Sequence, residues 1–286
     1  MFSQTLRQLL ARPSIVVIPG VYDCISAKLA EQSGFEVAAT SGFGIAASTL
    51  GLPDYGFMTA TEVLSSVGKI AESVNIPIIA DMDTGYGNAL NVMRTVKDAV
   101  KAGIAGVILE DQEFPKKCGH FEGKRVIHTS EHVTKIKAAV KARGDSGLVI
   151  IARTDARAVL GLNEAIQRGH EYLRAGADVL FVEAPQSVEE LQIIAAAFPN
   201  VPLVANIIEG GKTPQLSAAQ LEKMGFKIVF FALSALLAAT KVMKACLQEL
   251  KEKGTTTDFQ GMVNFSEFKE IIEVSKYLEM EKQFGG

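Results

Sequence analysis

The sequence predicts a single (β/α)8 barrel, an α/β fold, on three observations. Eight short apolar runs, rich in β-branched residues, alternate with longer helix-patterned segments from end to end. Most of these runs are almost continuously apolar, as parallel strands covered on both faces must be. Carboxylates, an arginine and an asparagine sit at or just past their carboxyl ends, the rim where a barrel gathers its chemistry. The strand runs are residues 15–18, 36–40, 76–81, 105–110, 148–153, 178–183, 201–206 and 227–231. Helical periodicity marks residues 60–73, 91–102, 130–142, 162–175, 187–198 and 218–224. Ala102-Gly103, Ala175-Gly176 and Met224-Gly225 offer left-handed C-caps to three of these helices. The polar residues follow the third to the seventh runs instead of clustering at one switch point, which favours a closed ring over a doubly wound sheet.

No composition break divides the 286 residues, so residues 1–254 read as one catalytic barrel. Thr255-Thr256-Thr257 is a polar break, and residues 264–281 then read as one charged amphipathic helix. Residues 255–286 are therefore expected to form a C-terminal helical extension that caps the barrel or packs on a neighbouring subunit. A net charge of −3 without a basic block argues against a nucleic-acid partner. The apolar runs at residues 76–80 and 228–239 are too short or too interrupted to span a membrane, and residues 1–12 form an amphipathic helix without signal-peptide features. Three widely spaced cysteines, Cys24, Cys118 and Cys246, argue against a disulfide framework and for a cytoplasmic setting.

The chemistry concentrates in a few motifs. In Lys116-Lys117-Cys118-Gly119-His120 a thiol lies between two cations and an imidazole, a setting expected to lower its pKa towards neutrality. The surrounding stretch, residues 112–129, exceeds a simple βα turn and carries Lys124 and Arg125 besides. It reads as a lid over an anionic substrate or as a solvated basic loop. Asp81 and Asp83 point to the same side of a strand end, a pairing that suits Mg2+, with Glu110 and Asp54 around it; otherwise one caps a helix and the other is solvated. Arg153 ends a buried strand and either holds a substrate carboxylate or pairs with Asp155 or Glu183. Asn206 bonds a substrate oxygen or ends its strand. Gly211-Lys212-Thr213 lacks the first glycine of a P-loop, and Gly42-Phe43-Gly44 lacks the third of a dinucleotide fingerprint. His128 and His132 have no evident third ligand for zinc.

Taken in order, these motifs resemble the isocitrate lyase / phosphoenolpyruvate mutase superfamily over essentially the whole chain. The matching segments are Thr40-Ser41-Gly42, Gly51-Leu52-Pro53-Asp54, Asp81-Met82-Asp83-Thr84-Gly85-Tyr86-Gly87, Glu110-Asp111-Gln112, the Lys116–His120 motif, Ala152-Arg153-Thr154-Asp155-Ala156 and Asn206. The resemblance implies that Asp81 holds Mg2+ or Mn2+ directly, with Asp54, Asp83 and Glu110 acting through water. Ser41, Gly42 and Phe43 would donate to the carboxylate of a pyruvate-like half, Arg153 would bind near its 2-oxygen, and Gly119, His120, Glu183 and Asn206 would line the other half. Cys118 would protonate the fragment released by C–C cleavage, so that Cys118, His120, Arg153 and Glu110 form the catalytic set. A homotetramer of helix-swapped dimers is implied as well.

Two departures bear on the substrate. The chain lacks the long insertions of isocitrate lyases proper and carries Phe121 after Cys-Gly-His; Ala39 stands where 2-methylisocitrate lyases have tyrosine. The expectation is a Mg2+-dependent C–C lyase of the 2,3-dimethylmalate or 2-alkylmalate type, with 2-methylisocitrate next. A carboxyphosphonoenolpyruvate phosphonomutase and an oxaloacetate hydrolase are the alternatives, and a non-enzymatic barrel is disfavoured because the rim residues are all present.

Overall fold

The computed structural model describes residues 2–285. Eight parallel strands close into one barrel in chain order: β1 Val16–Val21, β2 Ala38–Thr40, β3 Ile78–Asp81, β4 Gly106–Glu110, β5 Val149–Thr154, β6 Val179–Val182, β7 Leu203–Ile207 and β8 Ile228–Phe231. Each expected run overlaps its strand, with the ends shifted by up to three residues. The register places Glu110 beside Arg153 and Asn206 beside Phe230, so residues far apart in sequence meet at one rim.

In chain order the helices are α1 Phe2–Ala11, α2 Cys24–Gln32, α3 Gly42–Leu50, α4 Ala60–Glu72, α5 Ala89–Lys101, α6 Thr129–Arg143, α7 Ala156–Leu160, α8 Leu162–Arg174, α9 Val188–Ala197, α10 Ala218–Met224, α11 Ser234–Lys253, α12 Phe265–Ile271 and α13 Val274–Phe284. The glycines expected to end α5, α8 and α10 all take positive φ: Gly103, Gly176 and Gly225. Two layers of core result. One lies between strands and outer helices; the other fills the barrel itself with side chains such as Ile18, Ile79, Ile151, Phe181 and Phe230.

Helix α1 sets the polarity of the barrel. Its Leu6 and Leu9 are buried within the interior cluster, and Arg7 holds α1 in place through Gly147 O and Asp178. The amino-terminal mouth is thereby stoppered, leaving the carboxyl-terminal mouth for ligands. Among the described residues no helix is long and apolar enough to cross a membrane.

The end of the chain differs from the expected single helix over residues 264–281. Glu273 adopts φ 59°, which separates α12 from α13. The break is held from the barrel: Lys28 pairs with Glu273 at 2.5 Å, and Gln32 Nε2 donates to Ile271 O at 3.1 Å. Helix α11, by contrast, buries none of its 20 residues within this chain.

His132 on α6 illustrates how the outer layer responds to acid. It is fully buried, edge-on to Tyr172 with ring centroids 4.5 Å apart. Burial, reinforced by Lys135 and Arg168, pushes its pKa down to about 3. Because the unfolded imidazole protonates near 6.5, this site contributes full stability above that pH and loses it on acidification towards about 3, by about 1.4 kcal/mol per pH unit. Urea midpoints should therefore fall more steeply from pH 7.5 to 5.5 in the unaltered protein than in His132→Leu; equal slopes would exclude His132 from the acid response.

Candidate active site

At the carboxyl-terminal mouth the strand ends and two loops enclose a pocket of about 590 Å³ including its opening. Ser41, Gly42 and Phe43 form one wall. Ser41 caps α3, its hydroxyl accepting from Gly44 N at 3.1 Å, which leaves the first backbone N–H groups of that helix at the pocket edge. Asp81 ends β3 and faces the same wall, with Gly42 N 3.4 Å from its Oδ2. Its backbone is pinned by Thr40 Oγ1, which accepts from Asp81 N at 3.1 Å. Arg153, Glu183 and Asn206, from β5, the end of β6 and β7, form the opposite wall. Ile208, Phe230, Ala232 and Leu233 make the side between them apolar.

The long segment between β4 and α6 folds over this mouth and places Cys118, Gly119 and His120 in the pocket lining. It is tied internally by the Gln112 side chain, which bonds both Lys117 N and Lys117 O, and by pairing of Gln112 with Val126. Cys118 N donates to Asp54 O at 3.0 Å, joining the lid to the loop after α3. Gly119 lies so near Arg153 and Glu183 that a Cβ would meet Glu183 Cγ at 2.5 Å and Arg153 Nη2 closer still. Only a glycine permits this approach.

The thiol environment differs from the sequence expectation. Lys116 does not face Cys118; its ammonium is buried 2.8 Å from Asp54 and 2.6 Å from Asp83. Lys117 reaches instead towards Glu122 O and the ring of Tyr55. Adjacent residues of an irregular loop point in different directions, so sequence proximity did not translate into electrostatic proximity. Burial pushes the Cys118 thiol up to about 11, and nearby Asp54 and Glu183 outweigh Arg153. The resting thiol is therefore neutral.

His120 accepts a hydrogen bond at one ring nitrogen and faces Glu183 with the other. Lys212 N donates to Nδ1 at 3.0 Å, and Nε2 lies 3.0 Å from Glu183 Oε1. The accepting Nδ1 assigns the proton to Nε2. Burial opposes ionisation of Glu183, but Arg153 and His120 prevail and hold its carboxyl at about 2. Both forms of ion pair considered for Arg153 are present: Nε and Nη2 fork onto Asp155 at 2.9 and 3.1 Å, and Glu183 lies 3.5 Å away.

Asp83 and Glu110 lie one layer behind the pocket lining. Asp83 occupies a turn at φ 49° and accepts from Tyr86 OH at 3.1 Å. Burial pushes its carboxyl up to about 6 against the pull of Lys116, and burial likewise pushes Glu110 well up. Both Glu110 oxygens and Asp83 Oδ1 lack hydrogen-bond partners of good geometry, although Lys116 and Arg153 lie within ion-pair range. Among the described residues no three acidic, histidine or cysteine side chains converge as a complete ligand cage. That pattern fits Mg2+, which takes one or two carboxylates and keeps several waters that bond surrounding acceptors. Asp81 and Asp54 are the carboxylates that line the pocket on this side, Glu183 lying on the opposite wall.

Phe121 does not line the pocket. It packs against Phe43, which does, with centroids 6.2 Å apart, and against Tyr55 at 5.6 Å. Sequence reasoning missed the apolar side formed by Ile208, Phe230 and Leu233, and the burial of Lys116 and Lys124 among carboxylates. The strand ends signalled the first; nothing local signalled the second.

Comparison with known proteins places this geometry. The phosphoenolpyruvate phosphomutase family matches residues 6–251. The chain is 43% identical to the 2,3-dimethylmalate lyase of Eubacterium barkeri, over 98% of this chain and 96% of that protein. It is 43% identical to the 2-methylisocitrate lyase of Aeropyrum pernix, over 95% and 87%. It is 45% identical to the chloroplastic carboxyvinyl-carboxyphosphonate phosphorylmutase of Arabidopsis thaliana, over 97% and 83%. Among solved structures, 2,3-dimethylmalate lyase superposes with TM-score 0.95 at 36% identity, covering 100% of this chain and 96% of that one. Oxaloacetate acetylhydrolase bound to 3,3-difluorooxalacetate gives 0.95 at 35%, covering 99% and 97%. Phosphonopyruvate hydrolase with oxalate and Mg2+ gives 0.90 at 30%, covering 100% of both chains. With the barrel, the rim carboxylates and the lid cysteine in the expected order, the chain belongs to the phosphoenolpyruvate mutase/isocitrate lyase superfamily and is an enzyme of that superfamily.

Proposed function

We propose that the protein is a Mg2+-dependent lyase that cleaves the C2–C3 bond of a 2-hydroxydicarboxylate with an alkyl arm, such as 2,3-dimethylmalate, releasing pyruvate or another 2-keto acid. The observation that carries this reading is that Cys118, on the segment between β4 and α6, lines one pocket with Asp81 and the α3 N-terminal residues Gly42 and Phe43, its thiol pushed up by burial to about 11. Asp81 would hold Mg2+, with Asp54, Asp83 and Glu110 as the surrounding acceptors. The chemistry that such an ion would supply is Lewis-acid stabilisation of the developing keto acid. The 2-hydroxyl proton passes to solvent as C2 becomes the keto carbon, the C2–C3 bonding pair passes to C3, and the Cys118 S–H transfers its proton to C3. The thiolate regains a proton from solvent as the products leave, so that the turnover neither gains nor loses a proton. A thiol with a pKa of about 11 is a stronger acid than the protonated carbon it creates, so a neutral donor suffices. The backbone donors of Gly42 and Phe43 bind one substrate carboxylate and Arg153 the 2-oxygen region, while the lid excludes water from the carbanion.

The likeness to 2,3-dimethylmalate lyase supports this reading, and the pocket favours an alkyl arm over a third carboxylate. Arg153 is the one guanidinium or ammonium among the described lining residues, and Ile208, Phe230 and Leu233 offer apolar surface. A phosphonomutase forms a carbon–phosphorus bond where a lyase places a proton, which gives Cys118 no task. The apolar face of α11 to α13 supports a second proposal, a tetramer that exchanges its C-terminal helices. Met243, Leu247, Phe265 and Phe284 are between 55% and 79% exposed within one chain, a surface that monomers rarely leave uncovered.

A lactate-dehydrogenase-coupled assay with Mg2+ should show keto-acid release from 2,3-dimethylmalate or a 2-alkylmalate above that from methylisocitrate. Turnover of oxaloacetate alone would replace the lyase by a hydrolase. Cys118→Ser should lower kcat by roughly 10²- to 10⁴-fold while binding oxalate normally; unchanged kcat would sink the donor role. In metal-free protein, mass-mapped alkylation of Cys118 by iodoacetamide should accelerate about tenfold per pH unit from pH 7 to 10, and a plateau near pH 8 would contradict a neutral resting thiol. Light scattering should give four chain masses for the intact protein and fewer for Leu247→Glu/Phe265→Glu; a monomeric intact protein would exclude helix exchange.

A further inference from the structure

Asp155 has no exposed surface and no place in the pocket lining, yet two buried cations meet on it beneath the site. Its oxygens accept the fork of Arg153 at 2.9 and 3.1 Å, and Lys124 Nζ lies 3.1 Å from Oδ1. Lys124 arrives from the lid, is itself buried, and donates to Gly119 O in the lid segment above the pocket. Asp155 is fixed from behind as well. Its backbone N–H donates to Asp111 at 2.8 Å, and Asp111 in turn accepts from Thr154 Oγ1, Tyr172 OH and Arg168 Nη1 at 2.7, 2.7 and 3.0 Å. Asp155 is therefore an immobile anion shared between a strand cation and a lid cation.

The sharing has an electrostatic consequence. The Arg153 guanidinium faces Glu110 at 3.3 Å and Glu183 at 3.5 Å in addition to Asp155. With Lys124 withdrawn, one guanidinium would serve three buried carboxylates, and little of its field would reach the pocket. Seating Lys124 neutralises part of the Asp155 charge and leaves Arg153 a stronger attraction for an anion in the pocket it lines. An anion in the pocket stabilises the seated lid by the same amount, since the coupling is reciprocal.

We propose that Lys124 is a positioning residue: its ammonium, carried to Asp155 by the closing lid, couples lid closure to the strength with which Arg153 holds a substrate carboxylate or keto oxygen. The proposal rests on the reading of the pocket as a carboxylate site, but its test does not need turnover. Lys124→Met and Lys124→Arg would be compared with the unaltered protein by hydrogen exchange over residues 113–127, with and without oxalate in Mg2+-containing buffer, and by oxalate titration. Lys124→Met should exchange its lid amides roughly tenfold faster and bind oxalate roughly 10- to 100-fold more weakly. Lys124→Arg should recover most of both losses. In kinetics on 2,3-dimethylmalate, Lys124→Met should raise KM more than it lowers kcat.

A purely structural ion pair would lower thermal stability without weakening oxalate binding by the folded protein, and that outcome overturns the proposal. So does unaltered lid exchange in Lys124→Met, or absence of oxalate binding by the unaltered protein. If no 2-hydroxy acid is turned over by the unaltered protein while these exchange and binding differences appear, the lyase reading fails and the coupling stands.

Discussion

Six carboxylates at one end of a barrel, all removed from bulk water or nearly so, are the constraint on which the rest of this structure turns. Asp54, Asp83, Glu110, Asp155 and Glu183 are buried, and Asp81 is partly so. Isolated, each would be driven to neutrality, because an uncompensated buried charge costs several kcal/mol. The barrel strands supply a single cation, Arg153, to this group. The other two, Lys116 and Lys124, come from the lid. The lid is thus part of the charge balance of the barrel, and its ordered path follows from where the carboxylates need ammonium groups.

This explains the form of the lid better than its length does. Lys116 anchors its first half on Asp54 and Asp83, and Lys124 anchors its second half on Asp155. Between the anchors, Cys118-Gly119-His120 is drawn down over the pocket, and the missing Cβ of Gly119 lets the backbone reach Arg153 and Glu183. His120 accepts from Lys212 N and lies within ion-pair range of Glu183, so it ties the lid to the loop after β7 and to the end of β6. Cys118 lies between these anchors in the pocket lining, and burial pushes its thiol up to about 11, which accords with the proposed role of proton donor.

The barrel was legible because strands buried on both faces must be written in long apolar runs, and because the residues that end them are polar for a reason of function. Helices α2 and α3 escaped the same reasoning. The first is short and weakly patterned, and the second begins at Gly42 and Gly44, which read as loop until Ser41 is seen capping it. The rim residues Asp81, Arg153, Glu183 and Asn206 were legible from their places at strand ends. The electrostatics of Cys118 were not, since the side chains of an irregular loop are distributed by tertiary partners. Lys116 answers to Asp54, 62 positions away, and no local pattern announces that. Lys124 read as one more basic loop residue for the same reason.

The same constraint bears on which substrates fit. A pocket whose cation is already surrounded by carboxylates gains little by taking in a highly charged anion. In the proposed lyase, each added substrate carboxylate would have to be compensated by Mg2+ at Asp81, by helix N-terminal donors at Gly42 and Phe43, or by Arg153. Two carboxylates exhaust those sources, and the remaining wall of Ile208, Phe230 and Leu233 can only reward an apolar group, at about 25 cal/mol per Å² buried. A third carboxylate placed there would lose its hydration with no ammonium, guanidinium or backbone donor set in return. On the proposed reading, substrate choice would be governed less by the aromatic neighbour Phe121, which packs behind Phe43, than by the supply of positive charge at the rim.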